Sequence, residues 1–428
     1  LNLLLKDIFI YSPKDNIKGV FDVLIINGII EKIGNISGNF KSGVKKFDCR
    51  KFTLVPGFFD MHVHFRDPGQ TEKEDLYSGA LSAANGGFTG VLCMPNTKPP
   101  VDNTRTIEYI TKKARGNIVD IYTSFCATVE RKGETTADLK SLFRKGGLAI
   151  TDDGSPVSNT NVLKDVLEFT AKTLIPFLQH AENSRQYPDG VIHEGIISRK
   201  LGLTGIPYES EVKTLKDDLK LVRKIPNSRY HLQHVSCGDS IDVLREAKKT
   251  RNNNITAEVC PHHFILTDES VLEEGTNAKM NPPLRTKQDL IRIIEGIKDD
   301  TIDVICTDHA PHTIKEKSAS ISDAPFGIIG LETCIGLTYN YLVDKGYLTF
   351  EKMIEKMSDN PRNILNLPRI RISEGEPANM TLLDMKKRWK MRLSNLKTKS
   401  RNTPFRKHDL TCKPVGIINN NQIHFTTL

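Results

Sequence analysis

The chain has 428 residues, of which 38% are hydrophobic, and a net charge of +8. Its mean hydropathy is −0.35, which suits a soluble chain large enough to bury a substantial core. No apolar run reaches ~18 residues, so no membrane span is expected, and the opening LNLLLKDIFIYSPKD, short and interrupted by charge, is not expected to be a signal peptide. The length suggests two or three domains, unless one is an α/β barrel, which often exceeds about 250 residues.

The first ~55 residues carry short alternating runs broken by turn signals and read as β-hairpins. From position 56 the pattern changes. Strand-like runs occur at 58–64, 88–94, 118–125, 148–151, 175–180, 229–235, 254–260 and 303–308. Helix-like segments lie between them, among them 72–85, 104–115, 161–173, 239–250 and 287–298. Eight strand-helix units predict a parallel sheet closed into a barrel, though an open doubly wound sheet also alternates. The last ~60 residues return to the hairpin style, so both ends are expected to form one small β domain. The expected boundaries are 1–55, 56–365 and 366–428.

Polar residues collect where the strands end. The first strand ends in His62 and His64, the second leads to Asn96, and the fourth runs into Asp152 and Asp153. The fifth ends at His180, the sixth at His234, the seventh runs into Pro-His-His, and the eighth ends at Asp308. Barrel enzymes build their sites at this face. A His-x-His pair on a strand puts both imidazoles on one side. Alone, such a pair is as well explained by two satisfied histidines. With Asp153, His180, His234 and Asp308 added, the set exceeds one tetrahedral ion and fits two ions sharing a carboxylate. Either Asp152 or Asp153 can be that carboxylate, the other being a turn or cap residue. If the first strand continues, His62, His64 and Arg66 share a face; the alternative for Arg66 is an ion pair with Asp67. His262 and His263 are adjacent, so on a strand at most one can face the site. They are read as structural or supporting residues, and His193, His231, His408 and His424 as ordinary.

The eight cysteines are scattered without a C-x-x-C pair, which predicts buried thiols in a reducing compartment. A basic run, MKKRWKMRLSNLKTKSRNTPFRK, has only Trp389 and Phe405 as aromatics and no recognised nucleic-acid motif, and reads as solvated surface rather than a nucleic-acid contact.

The segments DMHVHFRDPG, MPNTKPPVDN, ITDDGSPV, EVCPHHFILTDE, MNPPLRT, CTDHAPHT, PFGIIGLET and KSRNTPF, in that order over almost the whole chain, resemble class I dihydroorotases of the amidohydrolase superfamily. The resemblance implies a distorted (β/α)8 barrel with a β-sandwich from both chain ends. It implies reversible cyclisation of N-carbamoyl-L-aspartate to L-dihydroorotate in pyrimidine synthesis, in the cytoplasm. It implies two zinc ions, with His62, His64 and Asp308 on one, His180 and His234 on the other, and Asp153 bridging in place of the carboxylated lysine of many relatives. Asp308 would be the proton shuttle. His64, Arg66, Asn96, Asn281, His312, Phe326 and Gly327 would contact substrate. A homodimer and assembly with aspartate carbamoyltransferase are the expected associations, with no nucleic acid and no membrane. HAENS and HVSCG depart from the commoner family pattern, and RKHDLTCKP stands after RNTPF where a glycine is common, but no metal ligand is lost. The alternatives are another cyclic amidohydrolase, such as a dihydropyrimidinase or allantoinase, and a silent scaffold for aspartate carbamoyltransferase. Arg66 with Asn96 favours a substrate bearing a carboxylate. The polar segment 312–325 is expected either to cover the site or to be an ordinary surface connection.

Overall fold

The computed structural model describes residues 1–38, 43–249 and 254–426. Strands Phe58–Val63, Phe88–Cys93 and Asp120–Thr123 pair in parallel. Phe177–Gln179, Arg229–Leu232, Asn254–Val259 and Val304–Ile305 form a second parallel set. Single bridges close the ring: Phe125 to Ile150, Ile150 to Phe177, and Val63 to His309. The stave predicted at 148–151 is reduced to that bridging residue, yet Leu148 N still donates to Thr123 O and Leu178 N to Ile150 O. The outcome is the closed, distorted barrel.

The strands stop earlier than their apolar runs suggest. The sixth ends at Leu232 and the eighth at Ile305, and the backbone then enters the left-handed region at His234 (φ 33°) and Asp308 (φ 47°). Side chains there cannot follow strand alternation. Helices pack outside. Asp75 and Ser78 form a capping box before Leu76–Gly86, which starts later than predicted because the preceding polar residues make turns. Asn103 caps Thr104–Ala114, and Thr286 caps Lys287–Lys298. The helix predicted at 239–250 runs Gly238–Lys248, and position 250 lies outside the described residues. The strands are apolar on both faces, as expected for a parallel sheet covered by helices.

The two chain ends meet in one eight-stranded sheet. Met380–Asp384 runs antiparallel to Thr53–Pro56, with Thr381 opposite Val55 and Leu382 opposite Leu54. Leu3, Leu5, Ile8, Ile10, Val23, Ile25, Met380 and Leu382 share its core. Between Met380–Asp384 and Lys413–Asn419 the basic run crosses the barrel, with exposed Lys386, Lys387, Arg388, Lys390 and Arg392 beside buried Met391 and Leu396. All eight cysteines are free and buried. Among the described residues no helix is long and apolar enough to cross a membrane.

Candidate active site

The histidines and aspartates predicted from strand ends converge at one end of the barrel. His62 Nε2 lies 3.3 Å from Asp153 Oδ1 and 3.4 Å from Asp308 Oδ1. His64 Nε2 lies 2.9 Å from Asp308 Oδ1 and 3.5 Å from Asp153 Oδ2. On the other side of Asp153, His180 Nδ1 and His234 Nε2 stand 3.9 and 3.7 Å from its Oδ1 and 2.9 Å from each other. Asp153 thus belongs to two triads, with His62 and His64 and with His180 and His234, each having its ligand atoms within 4.8 Å of one another. All of these side chains are buried.

This donor set fits metal ions. His62 Nε2 is buried without a hydrogen-bond partner, although it faces two carboxylates. An unpaired imidazole nitrogen is costly unless something occupies the space before it. Imidazole and carboxylate suit zinc and similar borderline ions. Burial raises the carboxyl pKa values of Asp153 and Asp308, but the imidazoles, His62 foremost, outweigh it and hold both well below the usual range. Burial likewise opposes charge on His62, and Glu258, Asp153 and Asp308 outweigh it to hold that ring well above its usual value.

Asp152 faces away. Its carboxylate accepts from Ala127 N at 2.9 Å, Thr128 N at 3.2 Å and the Thr128 hydroxyl, and burial pushes its pKa up to about 6. These bonds pin the Thr128 turn, and Asp153, the next residue, faces the histidines.

Arg66 reaches the cavity by another route than strand continuation. The strand ends at Val63, and Arg66 adopts φ +59°. Its Nε donates to Pro311 O at 3.3 Å and its Nη2 approaches His312 Nε2 at 3.4 Å. Asp67 does not take the guanidinium: its carboxylate accepts from Lys113, Tyr109 and Leu76 N. The following Gly69, at φ +98°, packs so closely that a Cβ would lie 1.9 Å from Lys98 O. Burial lowers the Arg66 pKa to about 10, and burial with Arg66 lowers that of His312 to about 2, so His312 is neutral. Three site residues, Arg66, His234 and Asp308, hold left-handed backbone, a local concentration of strain typical of functional sites.

A cavity of about 310 Å³ is lined by His64, Arg66, Asn96, Asp153, His180, His234, Asn281, Asp308, His312, Phe326 and Gly327. Every predicted substrate contact therefore borders it. Asn96 accepts from or donates to two members of the cluster: its Oδ1 is 2.8 Å from His64 Nδ1 and its Nδ2 donates to Asp153 Oδ2 at 3.2 Å. Asn281 Nδ2 donates to Glu182 Oε2 at 3.0 Å. Phe326 O lies 2.7 Å from His312 Nε2. The Gly327 carbonyl accepts from Lys317 and Asn402, and its N–H donates to Lys279 O, so both backbone groups are already partnered.

His262 and His263 lie in a short helix, Pro261–Ile265, rather than ending a strand, and their ring centres are 4.3 Å apart with the planes tilted by 59°. The opposite-sides argument therefore does not apply to them. His263 Nε2 is 3.0 Å from Pro282 O, and with Cys260 the pair forms a further compact group. Several site residues escape sequence reasoning. Glu258 Oε1 is 2.6 Å from His62 Nδ1, and its other oxygen is 3.1 Å from Nε2 of His231, which had looked ordinary. Asn402, in RNTPF, accepts from His312 N and donates to Ala310 O and Gly327 O. Its one signal in the sequence was its place in KSRNTPF, one of the segments that carry the family resemblance. Arg131 donates to the carbonyls of Asp152 and Asp153.

A dihydro-orotase-like family model matches residues 52–240. A dihydroorotase of Endomicrobium trichonymphae is 40% identical over 407 residues, 95% of each chain. One of Pelobacter propionicus is 39% identical over 419 residues, 98% of each chain. The chain belongs to the dihydroorotase family. Solved structures add the fold: L-hydantoinase (dihydropyrimidinase) from Arthrobacter aurescens aligns over 99% of this chain and 95% of its own, with TM-score 0.85 and 20% identity. A D-hydantoinase aligns over 100% and 96%, with TM-score 0.85 and 20% identity. At that identity these neighbours speak for the barrel and sandwich shared by the dihydroorotase family, and leave substrate choice to the cavity.

Proposed function

We propose that this dihydroorotase-family enzyme interconverts N-carbamoyl-L-aspartate and L-dihydroorotate at the barrel cavity. The observation that carries the proposal is one cavity lined by both the buried His/Asp cluster and Arg66. A cyclic amide that also bears a carboxylate needs both.

His62, His64 and Asp308 would hold one zinc ion and His180 and His234 a second, with Asp153 between them. When bound, such ions supply Lewis acidity, polarising an amide carbonyl and making water acidic near neutral pH. The chain's own residues do the rest. Arg66 offers a planar fork to the substrate carboxylate. Asn96, Asn281, neutral His312 and the backbone around Phe326 and Gly327 surround the ring and fix its orientation. Ionised Asp308 takes the proton of the attacking water at its carboxylate and delivers it to the departing ring nitrogen. Ring closure reverses that transfer. Residues 1–55 and 366–428 are assigned to the sandwich and 56–365 to the barrel, on the pairing of Met380–Asp384 with Thr53–Pro56. A cytoplasmic location, a homodimer and assembly with aspartate carbamoyltransferase complete the proposal on family resemblance.

The test is purified protein, with and without added zinc, on L-dihydroorotate, hydantoin, dihydrouracil and allantoin. Zinc-dependent opening of L-dihydroorotate, well above the other three, is expected. Faster turnover of dihydrouracil or allantoin would assign the cavity to another cyclic amide.

A further inference from the structure

Each metal-facing triad contains a histidine whose outward nitrogen meets a carboxylate that belongs to neither triad. Glu258, fully buried on strand Asn254–Val259, puts Oε1 2.6 Å from His62 Nδ1. Gln233 Nε2 also lies 3.3 Å from that nitrogen. Were His62 Nδ1 bare, it would face the carboxylate lone pair at short range, so in the neutral ring that a metal takes the proton sits on Nδ1 and Nε2 is bare. That bare nitrogen is the one turned toward Asp153 and Asp308. Glu258 is itself held, for its second oxygen is 3.1 Å from His231 Nε2, and His231 Nδ1 is 2.8 Å from Thr256 Oγ1. On the far side of Asp153 the polarity is reversed. Glu182 Oε2 lies 3.2 Å from His180 Nε2, which leaves Nδ1 of that ring facing inward. The same Glu182 oxygen accepts from Asn281, at 3.0 Å.

We infer that Glu258 and Glu182 are positioning residues, one for each metal: each fixes the tautomer of one histidine so that Nε2 of His62 and Nδ1 of His180 are the ligating atoms. The physical reason is general. A carboxylate behind a metal-binding imidazole locks the ring and raises the basicity of its free nitrogen, and losing it weakens metal binding ~10–100-fold. The two carboxylates differ in setting. Glu258 is sealed in the barrel with His231. Glu182 stands at the rim, with 13% of its side chain exposed, and is shared with a cavity residue. Loss of Glu182 therefore also takes the closer partner from Asn281, leaving its Nδ2 the 3.4 Å contact with His180 Nε2.

The inference rests on the metal assignment above, and its test separates the two. Metal-stripped full-length protein is titrated with zinc alone against a competing chelator. Glu258→Gln is expected to weaken one equivalent ~10–100-fold and Glu182→Gln the other. In a His62→Ala background, Glu258→Gln should cause almost no further loss, because the ring it positions is gone. Glu182→Gln should in addition raise KM for L-dihydroorotate. Wild-type affinities in both variants, or a Glu258→Gln loss that persists in full without His62, overturn the inference and leave the metal assignment standing. A wild-type chain that takes up no zinc overturns both. Histidine ¹⁵N spectra of the zinc-loaded wild type need no variant: His62 protonated at Nδ1 and His180 at Nε2 are expected, and the opposite tautomer in either ring refutes the role of its carboxylate.

Discussion

Asp308 Oδ1 lies 2.9 Å from His64 Nε2, although 244 positions separate the two residues. The same oxygen is 3.4 Å from His62 Nε2. One carboxylate thus touches both imidazoles of the His-x-His pair while bordering the cavity. Asp308→Asn keeps an oxygen for these contacts and loses the base. Turnover should fall by at least ~10²-fold in both directions, with zinc content near that of the wild type. Steady-state rates for ring opening and closure, beside elemental analysis, check this. A near-normal rate would remove Asp308 from proton transfer.

Chelation should abolish activity and zinc should restore it. His62→Ala with His64→Ala should lose at least one ion per chain, since both rings belong to one triad. Elemental analysis of dialysed protein gives the count. Full turnover by demonstrably metal-free protein would end the proposed mechanism.

Arg66 is half-buried beside His312, and its guanidinium borders the cavity. Arg66→Lys keeps the charge without the fork, and Arg66→Met loses both. Each should lower kcat/KM for L-dihydroorotate, Met more severely, by ~2–5 kcal/mol in transition-state binding. Metal content should not change. Any trace activity on dihydrouracil, which lacks the carboxylate, should be nearly indifferent. Equal losses on both substrates would make Arg66 structural.

Lys317 secures the segment that closes one side of the cavity. Its Nζ donates to Pro325 O at 2.9 Å and to Gly327 O at 3.0 Å, while Lys279 Nζ donates to Ser322 O and lies 4.5 Å from the Phe326 ring centre. Lys317→Met removes two hydrogen bonds, one to the part-buried Pro325 carbonyl and one to the buried Gly327 carbonyl, and ~1–3 kcal/mol of local stability should go with them. Hydrogen exchange at the Phe326 and Gly327 amides should quicken and KM should rise, with metal content unaltered. Unchanged exchange would mean that Asn402 alone holds the turn.

Asp218 offers a pH test away from the cluster. Burial pushes its carboxyl up to about 7, even though Gln179 and Tyr230 donate to it. The folded state therefore keeps a proton that the unfolded chain releases near its ordinary value. This contribution to stability is complete below about pH 4 and is lost as pH rises through about 7. Asp218→Asn should flatten that part of the stability profile, a change on the order of a few kcal/mol at most. Urea titrations from pH 4 to 8 measure it, and parallel profiles for the two proteins would refute it.

The sequence by itself determined the strand-helix alternation, the β-rich chain ends, and the direction from which chemistry would come, while closure of the sheet into a barrel was left to the structure. Strand periodicity and the polar residue after each apolar run are local properties, and a parallel barrel collects strand ends at one face. The His-x-His spacing needed nothing beyond position. Tertiary structure decided what depends on where a backbone turns and what it meets. Asp152 and Asp153 are identical in type, and only the Ala127 and Thr128 amides separate a turn carboxylate from one facing four histidines. Arg66 came to the cavity through a left-handed turn that strand spacing does not encode. His231 looked ordinary because its partner, Glu258, is on the neighbouring strand, 27 residues away. The role of Asn402 was hidden because it contacts Ala310 and Gly327 only after the C-terminal segment has crossed the barrel. Hydrophobic pattern specifies which elements form; a buried hydrogen bond between distant residues exists only once packing has removed the water that would otherwise satisfy them.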